Sequence, residues 1–255
     1  MKIERILCLA VALCGTAMVN AQSKPGVIAH RGYWHTEGAA PNTIASLQKA
    51  IEIGAEGSEL DVYITTDGVV VLDHDGVING KRIDEGTYAD LKDVRLANGE
   101  PIPTFEAYLE VARKQKHTKP IIEVKTHSSK AREDAAVDAL LDMVHKAKMD
   151  KRVEYISFSK NACERLIARG PKKIKVAYLS GDMTPKELAE KGYTGLDYHI
   201  GAMRSHENWF DEAKALGLEI NVWTVNDEAS MKYLIEKGVD YITTDEPVLL
   251  QKVLK

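Results

Sequence analysis

Ser58-Glu59-Leu60-Asp61-Val62-Tyr63-Ile64-Thr65-Thr66-Asp67-Gly68-Val69-Val70-Val71-Leu72-Asp73-His74-Asp75 is the stretch from which the rest of the chain can be read. Glu59 and Asp61 stand two residues apart in a segment rich in β-formers. Strand side chains alternate between two faces, so both carboxylates emerge on one side. Asp67-Gly68 reads as a tight turn, and Val69–Leu72 returns from it to deliver Asp73-His74-Asp75. One hairpin thus brings oxygen ligands and a histidine within reach of one another. That combination suits a hard cation with acid/base chemistry beside it.

Outward from the hairpin, strands and helices alternate. Upstream, Val27–Ala29 reads as a strand ending in His30-Arg31-Gly32. Asn42 is then expected to cap a helix with Ile44, Leu47 and Ile51 on one face and Gly54 as its stop. Downstream, Gly76 to Pro103 is a glycine-bearing excursion with a short helix expected from Thr87. Loops this long are uncommon in compact domains unless functional, so it reads as a small insertion (about 76–103) beside the site. Further strands are expected at Pro120–Lys125, Val153–Ser159, Lys175–Leu179, Leu196–Ile200, Glu219–Val225 and Tyr241–Thr244. Helices are expected between them, one opened by the capping box Thr184-Pro185-Lys186-Glu187. Glycines at 54, 192, 217 and 238 close helices before apolar strands. Eight strand-then-helix units favour an α/β fold of the (β/α)8 TIM barrel type over an open, doubly wound sheet. No Gly-x-Gly-x-x-Gly follows any strand, which counts against a dinucleotide fold.

The 255-residue chain has three cysteines and a formal net charge of −4. Lys2 and Arg5 precede an apolar run from Ile6 to Val19, and Val19-Asn20-Ala21 offers small residues for cleavage. A signal peptide at 1–21, a mature domain at 22–255 and export to the periplasm are therefore expected. The apolar run is too short to span a bilayer, so no stable membrane anchor is expected. Cys8 and Cys14 fall in that segment, leaving Cys163 without an intrachain partner. With no basic cluster and no aromatic ladder, nucleic acid is not an expected partner.

In a barrel of this kind the working residues sit at the carboxyl ends of strands. That rule selects His30 and Arg31, then Glu59 and Asp61, then Glu123 and Lys125. Three carboxylates without cysteine suit one divalent cation, Mg²⁺ or Ca²⁺, rather than zinc. His30 and His74 flank the acidic pair and are the candidate acid and base near neutral pH. His199, after Asp197-Tyr198, is a candidate for the mouth of the barrel.

Ala29-His30-Arg31-Gly32, Glu59-Leu60-Asp61-Val62, Thr66-Asp67-Gly68, Asp73-His74-Asp75, Ile122-Glu123-Val124-Lys125, Trp223-Thr224-Val225-Asn226 and Thr243-Thr244-Asp245-Glu246-Pro247 follow one another in a specific order. From about Val27 to Pro247 the chain resembles the glycerophosphodiester phosphodiesterase family, metal-dependent enzymes on a TIM barrel. The resemblance implies hydrolysis of a small glycerophosphodiester to an alcohol and sn-glycerol 3-phosphate. It also implies a metal on Glu59, Asp61 and Glu123, acid/base work by His30 and His74, and phosphate contacts from Arg31 and Lys125. Trp223 would lie by the alcohol moiety, and Phe158, Tyr178 and Tyr198 could extend that wall. The family usually carries Glu-Asn-Thr or Glu-Asn-Ser before the first helix, whereas Pro41-Asn42-Thr43 stands here. Glu37 is the nearest residue that could substitute. Two rival readings are a metal-dependent sugar isomerase or lyase on the same barrel, and a non-catalytic exported glycerol-phosphate binding protein.

Overall fold

A computed structural model describes residues 24–255, so the expected signal peptide lies outside the described residues. The chain starts on β1 (Gly26–Ala29), crosses through α1 (Ile44–Glu52) and returns on β2 (Gly57–Ile64). β3 (Val70–Leu72) folds back antiparallel, with Leu72, Val71 and Val70 opposite Val62, Tyr63 and Ile64. The excursion carries a ribbon of β4 (Val77–Ile78) and β5 (Lys81–Arg82), then 3₁₀ turns at Ile83–Glu85 and Tyr88–Asp90. There follow α2 (Phe105–Ala112), β6 (Lys119–Val124), α3 (Lys130–Lys146), β7 (Glu154–Ser157), α4 (Lys160–Arg169) and β8 (Val176–Tyr178). The last part holds α5 (Pro185–Glu190), β9 (Gly195–His199), α6 (Ile200–Ser205), α7 (Asn208–Leu216), β10 (Glu219–Trp223), α8 (Glu228–Lys237), β11 (Tyr241–Thr244) and α9 (Pro247–Val253).

β1 pairs in parallel with β11 on one side and β2 on the other, which closes β1, β2 and β6 to β11 into a ring. The expected (β/α)8 TIM barrel is the architecture observed. β2 outruns its neighbours. β6 holds one edge over Gly57–Val62, β1 holds the other only at Gly57 and Ser58, and β3 takes that edge over from Val62. The hairpin arm therefore stands above the rim, where β1 has already turned away into His30-Arg31.

Strand alternation sorts the core into two layers. Leu60, Val62, Ile122, Leu196, Ile220 and Ile242 join helix residues Leu47, Leu140, Leu166, Phe210 and Leu234 in one continuous cluster outside the ring. Inside it, Ile28, Ile121, Ile156 and Leu179 form a smaller plug. Below the plug lie the ion pairs Lys119–Glu154 at 2.8 Å and Lys175–Glu219 at 2.6 Å. With these groups packed into its base, the barrel keeps its larger interior space at the carboxyl ends of its strands.

The excursion has a core of its own, in which Ile83, Leu91 and Ile102 pack on Tyr63 and Val71 of the hairpin. Its ribbon turns at Asn79-Gly80, both left-handed at φ 51° and 77°, the pairing a two-residue hairpin turn requires. The helix expected from Thr87 is the 3₁₀ turn that Thr87 caps.

One capping assignment is corrected. Thr43, not Asn42, caps α1, its hydroxyl accepting from Ser46 N at 3.0 Å. Asn42 sits at φ +58° with its side chain turned to Asp61. The next free N–H groups of α1, at Ile44 and Ala45, donate to Glu100 of the excursion at 3.1 and 3.2 Å. Helices α6 and α9 were not expected from the sequence, being six and seven residues long and too short to show a period. Among the described residues no helix is long and apolar enough to cross a membrane.

Candidate active site

Strand register assembles the acids. Asp61 of β2 lies opposite Glu123 of β6, and Glu59 projects from the same face as Asp61. Ligand oxygens of the buried Glu59, Asp61 and Glu123 all lie within 4.8 Å of one another. Neighbours hold them in place. Arg31 N donates to Glu59 Oε2 at 2.8 Å, while Asn42 Nδ2 donates to Asp61 Oδ2 at 2.8 Å. Asn42 Oδ1 also accepts from Asp61 N at 3.0 Å, so the amide clamps that residue twice. Lys125 Nζ stands 3.2 Å from Asp61 Oδ1 and 2.9 Å from Glu123 Oε1.

This geometry demands unusual backbone. Arg31 and Asn42 are left-handed at φ 56° and 58°, a conformation that costs a non-glycine residue and tends to collect at functional sites. Gly32 follows at φ 78°, where a Cβ would fall 2.4 Å from Ser46 Oγ. Only glycine lets this turn lie against α1.

Burial, reinforced by the charges of Asp61 and Glu123, pushes the Glu59 pKa well above the ordinary carboxylate range. Burial and Asp61 push Glu123 up to about 7. Burial alone would lower Lys125, but the Asp61 and Glu123 carboxylates outweigh it and raise its pKa. Glu59 Oε1 is buried with no hydrogen-bond partner. Crowded acids with an unsatisfied oxygen are what a divalent cation relieves, and an all-oxygen donor set suits a hard one. The residues present fit such an ion.

Each histidine is backed by a carboxylate. His30 Nδ1 lies 2.8 Å from Asp245 Oδ1, which also accepts from Trp34 Nε1 at 3.1 Å. Asn226 Nδ2 donates to Asp245 Oδ2 at 2.7 Å. Burial would raise the Asp245 pKa, but its bonds and charge pairing with His30 and its bonds from Asn226 and Trp34 hold it low. His74 Nδ1 lies 2.7 Å from Asp75 Oδ1. With Nδ1 engaged, Nε2 is the ring nitrogen left for chemistry.

His30, Arg31, Glu59, His74, Glu123 and Lys125 share a cavity of about 270 Å³ with Ile156, Phe158, Leu179, Asp197, Trp223 and Thr243. A second groove of about 270 Å³ meets it at Arg31 and His74 and runs past Pro41, Asn42, Asp73, Leu96 and Ala97. Trp223 is fixed by donating from Nε1 to the Asp197 carbonyl at 2.8 Å, with the Phe158 ring edge-on at 5.6 Å. His199 is exposed at the mouth, its ring 5.2 Å from that of Trp223, and it caps α6 by accepting from Gly201 N at 3.1 Å.

Two of the expected wall residues are corrected. Tyr178 and Tyr198 lie outside the ring, because Leu179 and Asp197 hold the inward phase of their strands. Their rings meet 6.4 Å apart under the helices, and Tyr198 donates its hydroxyl to the Met183 carbonyl at 2.8 Å. Glu37 does not fill the family's glutamate position, since it is exposed and its charge acts on Lys49. Sequence reasoning assigned no role to Asp245 or Asp75, although Asp245 follows strand β11 where the strand-end rule could have found it. Asn42 carried no such signal, because its contact with Asp61 crosses from loop to strand.

A family model, that of the glycerophosphoryl diester phosphodiesterases, matches residues 30–249. The chain belongs to this family. A glycerophosphodiester phosphodiesterase of Parabacteroides distasonis has a crystal structure similar at 48% identity and a TM-score of 0.89, over 91% of this chain and 98% of that one. A glycerophosphodiester phosphodiesterase of Caldanaerobacter subterraneus subsp. tengcongensis is 26% identical over 242 residues, 90% of this chain and 97% of that one. A phosphodiesterase of Oleispira antarctica, seen with the product sn-glycerol-3-phosphate, shares the fold at 23% identity and a TM-score of 0.76, over 91% and 97% of the two chains. As a member of the glycerophosphoryl diester phosphodiesterase family the chain is an enzyme, a phosphoric diester hydrolase. The sugar isomerase and the non-catalytic binder have no support among these relatives.

Proposed function

We propose that the enzyme hydrolyses glycerophosphodiesters to an alcohol and sn-glycerol 3-phosphate, using Mg²⁺ or Ca²⁺ held by Glu59, Asp61 and Glu123. The observation that carries this reading is the convergence on one cavity of Glu59, Glu123, two carboxylate-backed histidines and two cations, with a ligand oxygen of the buried Asp61 within 4.8 Å of both acids. When bound, the metal ion supplies Lewis-acid stabilisation of the phosphoryl charge. Arg31 presents a planar guanidinium to two phosphate oxygens, and Lys125 adds a point charge. One imidazole takes a proton at Nε2 from the attacking hydroxyl, and the other gives one to the departing alkoxide. Each transfer contributes ~10²–10⁴ in rate. Asp245 and Asp75 hold the rings in the required tautomer and stabilise each imidazolium as it forms. Trp223 and Phe158 wall the glycerol carbons, and the groove past Leu96 and Ala97 takes the leaving alcohol. Export to the periplasm belongs to the same proposal, supported by the order of charged, apolar and small residues in 1–21.

The test is release of sn-glycerol 3-phosphate from a panel of glycerophosphodiesters, after chelation and after adding back Mg²⁺ or Ca²⁺. Activity should vanish on chelation and return with either ion. Undiminished turnover in chelator would remove the metal from the reaction. A panel that yields no sn-glycerol 3-phosphate would overturn the substrate.

A further inference from the structure

Asp197 lies in the cavity, and no step above uses it. It is the third residue of β9 and only 2% exposed. Its Oδ1 is buried without a hydrogen-bond partner, the state that buried polar atoms almost always avoid. Its own carbonyl accepts from Trp223 Nε1 at 2.8 Å, which ties the flat apolar wall of the cavity to the residue bearing the unsatisfied oxygen. Leu179, Ile156 and Phe158 complete the apolar side. Carbon-facing rings beside one buried polar atom match a polyol, whose C–H faces lie on the indole while a hydroxyl turns to the carboxyl.

We infer that Asp197 reads a hydroxyl of the substrate's glycerol, making it a specificity-determining residue for polyol esters. The inference rests on the glycerophosphodiester reading and names the residue that selects the glycerol. Burial pushes the Asp197 carboxyl up to about 8, so at neutral pH it adds little charge beside the phosphate. A protonated carboxyl can both donate to and accept from a hydroxyl. A site built around such a bond rejects an analogue lacking the hydroxyl far more strongly than an apolar pocket rejects a missing methylene. Asp197 also borders a void of about 20 Å³ beneath it, room for one water, so a purely structural part must be separated from recognition.

Two substrates make that separation in cation-saturated enzyme. sn-Glycero-3-phosphocholine carries the glycerol hydroxyls, and bis(p-nitrophenyl) phosphate carries none. Asp197→Val should lower kcat/KM for the first by about 100-fold while changing the second less than about threefold. Asp197→Asn, which keeps a donor and an acceptor, should restore most of the loss. Equal losses on both substrates would show a structural part only, and no loss on either would also overturn the inference. Should Asp197→Val fail to fold, the wild-type enzyme supplies the test with an analogue lacking the terminal primary hydroxyl, which is too far from the phosphorus to be the attacking group. Discrimination of about 100-fold is expected there, and equal turnover overturns it. A wild type that cleaves bis(p-nitrophenyl) phosphate but no member of the glycerophosphodiester panel would overturn the parent reading as well, and is recognised before any variant is made. Where only glycerophosphocholine is refused, the panel member turned over best takes its place.

Discussion

At the scale of single residues, the two histidines differ in how firmly they are held. The His30 and Asp245 side chains are each 20% exposed, whereas those of His74 and Asp75 are 41% and 82% exposed. Solvent screens the second pair, so its carboxylate contributes less to orientation and charge. His30→Ala and His74→Ala should each lose on the order of 10²–10⁴ in kcat with an unchanged melting temperature. Asp245→Asn should cost less than His30→Ala but clearly more than Asp75→Asn. Steady-state kinetics of the four variants tests this ranking, and a reversed order for the two aspartates would contradict the assignment of support.

At the scale of elements, the excursion does two separable things. Its Leu96 and Ala97 border the groove, while Ile83, Leu91 and Ile102 seal the hairpin and Glu100 meets the start of α1. Deleting it would therefore unseat buried side chains, and point changes are the sharper probe. Leu96→Ala should alter the relative kcat/KM among glycerophosphodiesters with different leaving alcohols. An unchanged alcohol profile would make this rim a passive cover. Glu100→Ala removes a capping carboxylate and should cost about 1 kcal/mol, read as a lower denaturant midpoint.

For the whole molecule, the acid cluster links stability to pH and to cation. Burial and mutual repulsion raise Glu59 and Glu123 above their ordinary 4.5, so the folded, metal-free protein binds their protons more tightly than the unfolded chain does. The Glu123 contribution is therefore fully present below about pH 4.5 and is lost as pH rises through about 7, and that of Glu59 is lost in the same direction. A cation bound by the folded state alone adds stability in proportion to its occupancy, which grows as the acids deprotonate. The melting temperature should thus differ little with and without Mg²⁺ or Ca²⁺ near pH 4.5, and the gap should widen toward neutrality. A gap that is constant over this range would place the bound ion elsewhere.

Much of this was legible in the chain because the signals involved are local. Asn208–Leu216 and Glu228–Lys237 end where the sequence places their stops, at Gly217 and Gly238, which take left-handed φ of 71° and 66°. Glu59 and Asp61 share a face because strand alternation needs only two neighbours to express itself. Closure of the ring decided the rest. It set the inward phase of β8 and β9, turning Tyr178 and Tyr198 out and Leu179 and Asp197 in. It also brought Asn42 to Asp61 and Asp245 to His30, across 19 and 215 residues of chain. Periodicity and caps depend on residues a few positions apart, so sequence alone determined the elements long enough to show a period, while α6 and α9 escaped it. Which side chains meet depends on the register and phase of strands distant in the chain, and these are settled only when all eight pair at once.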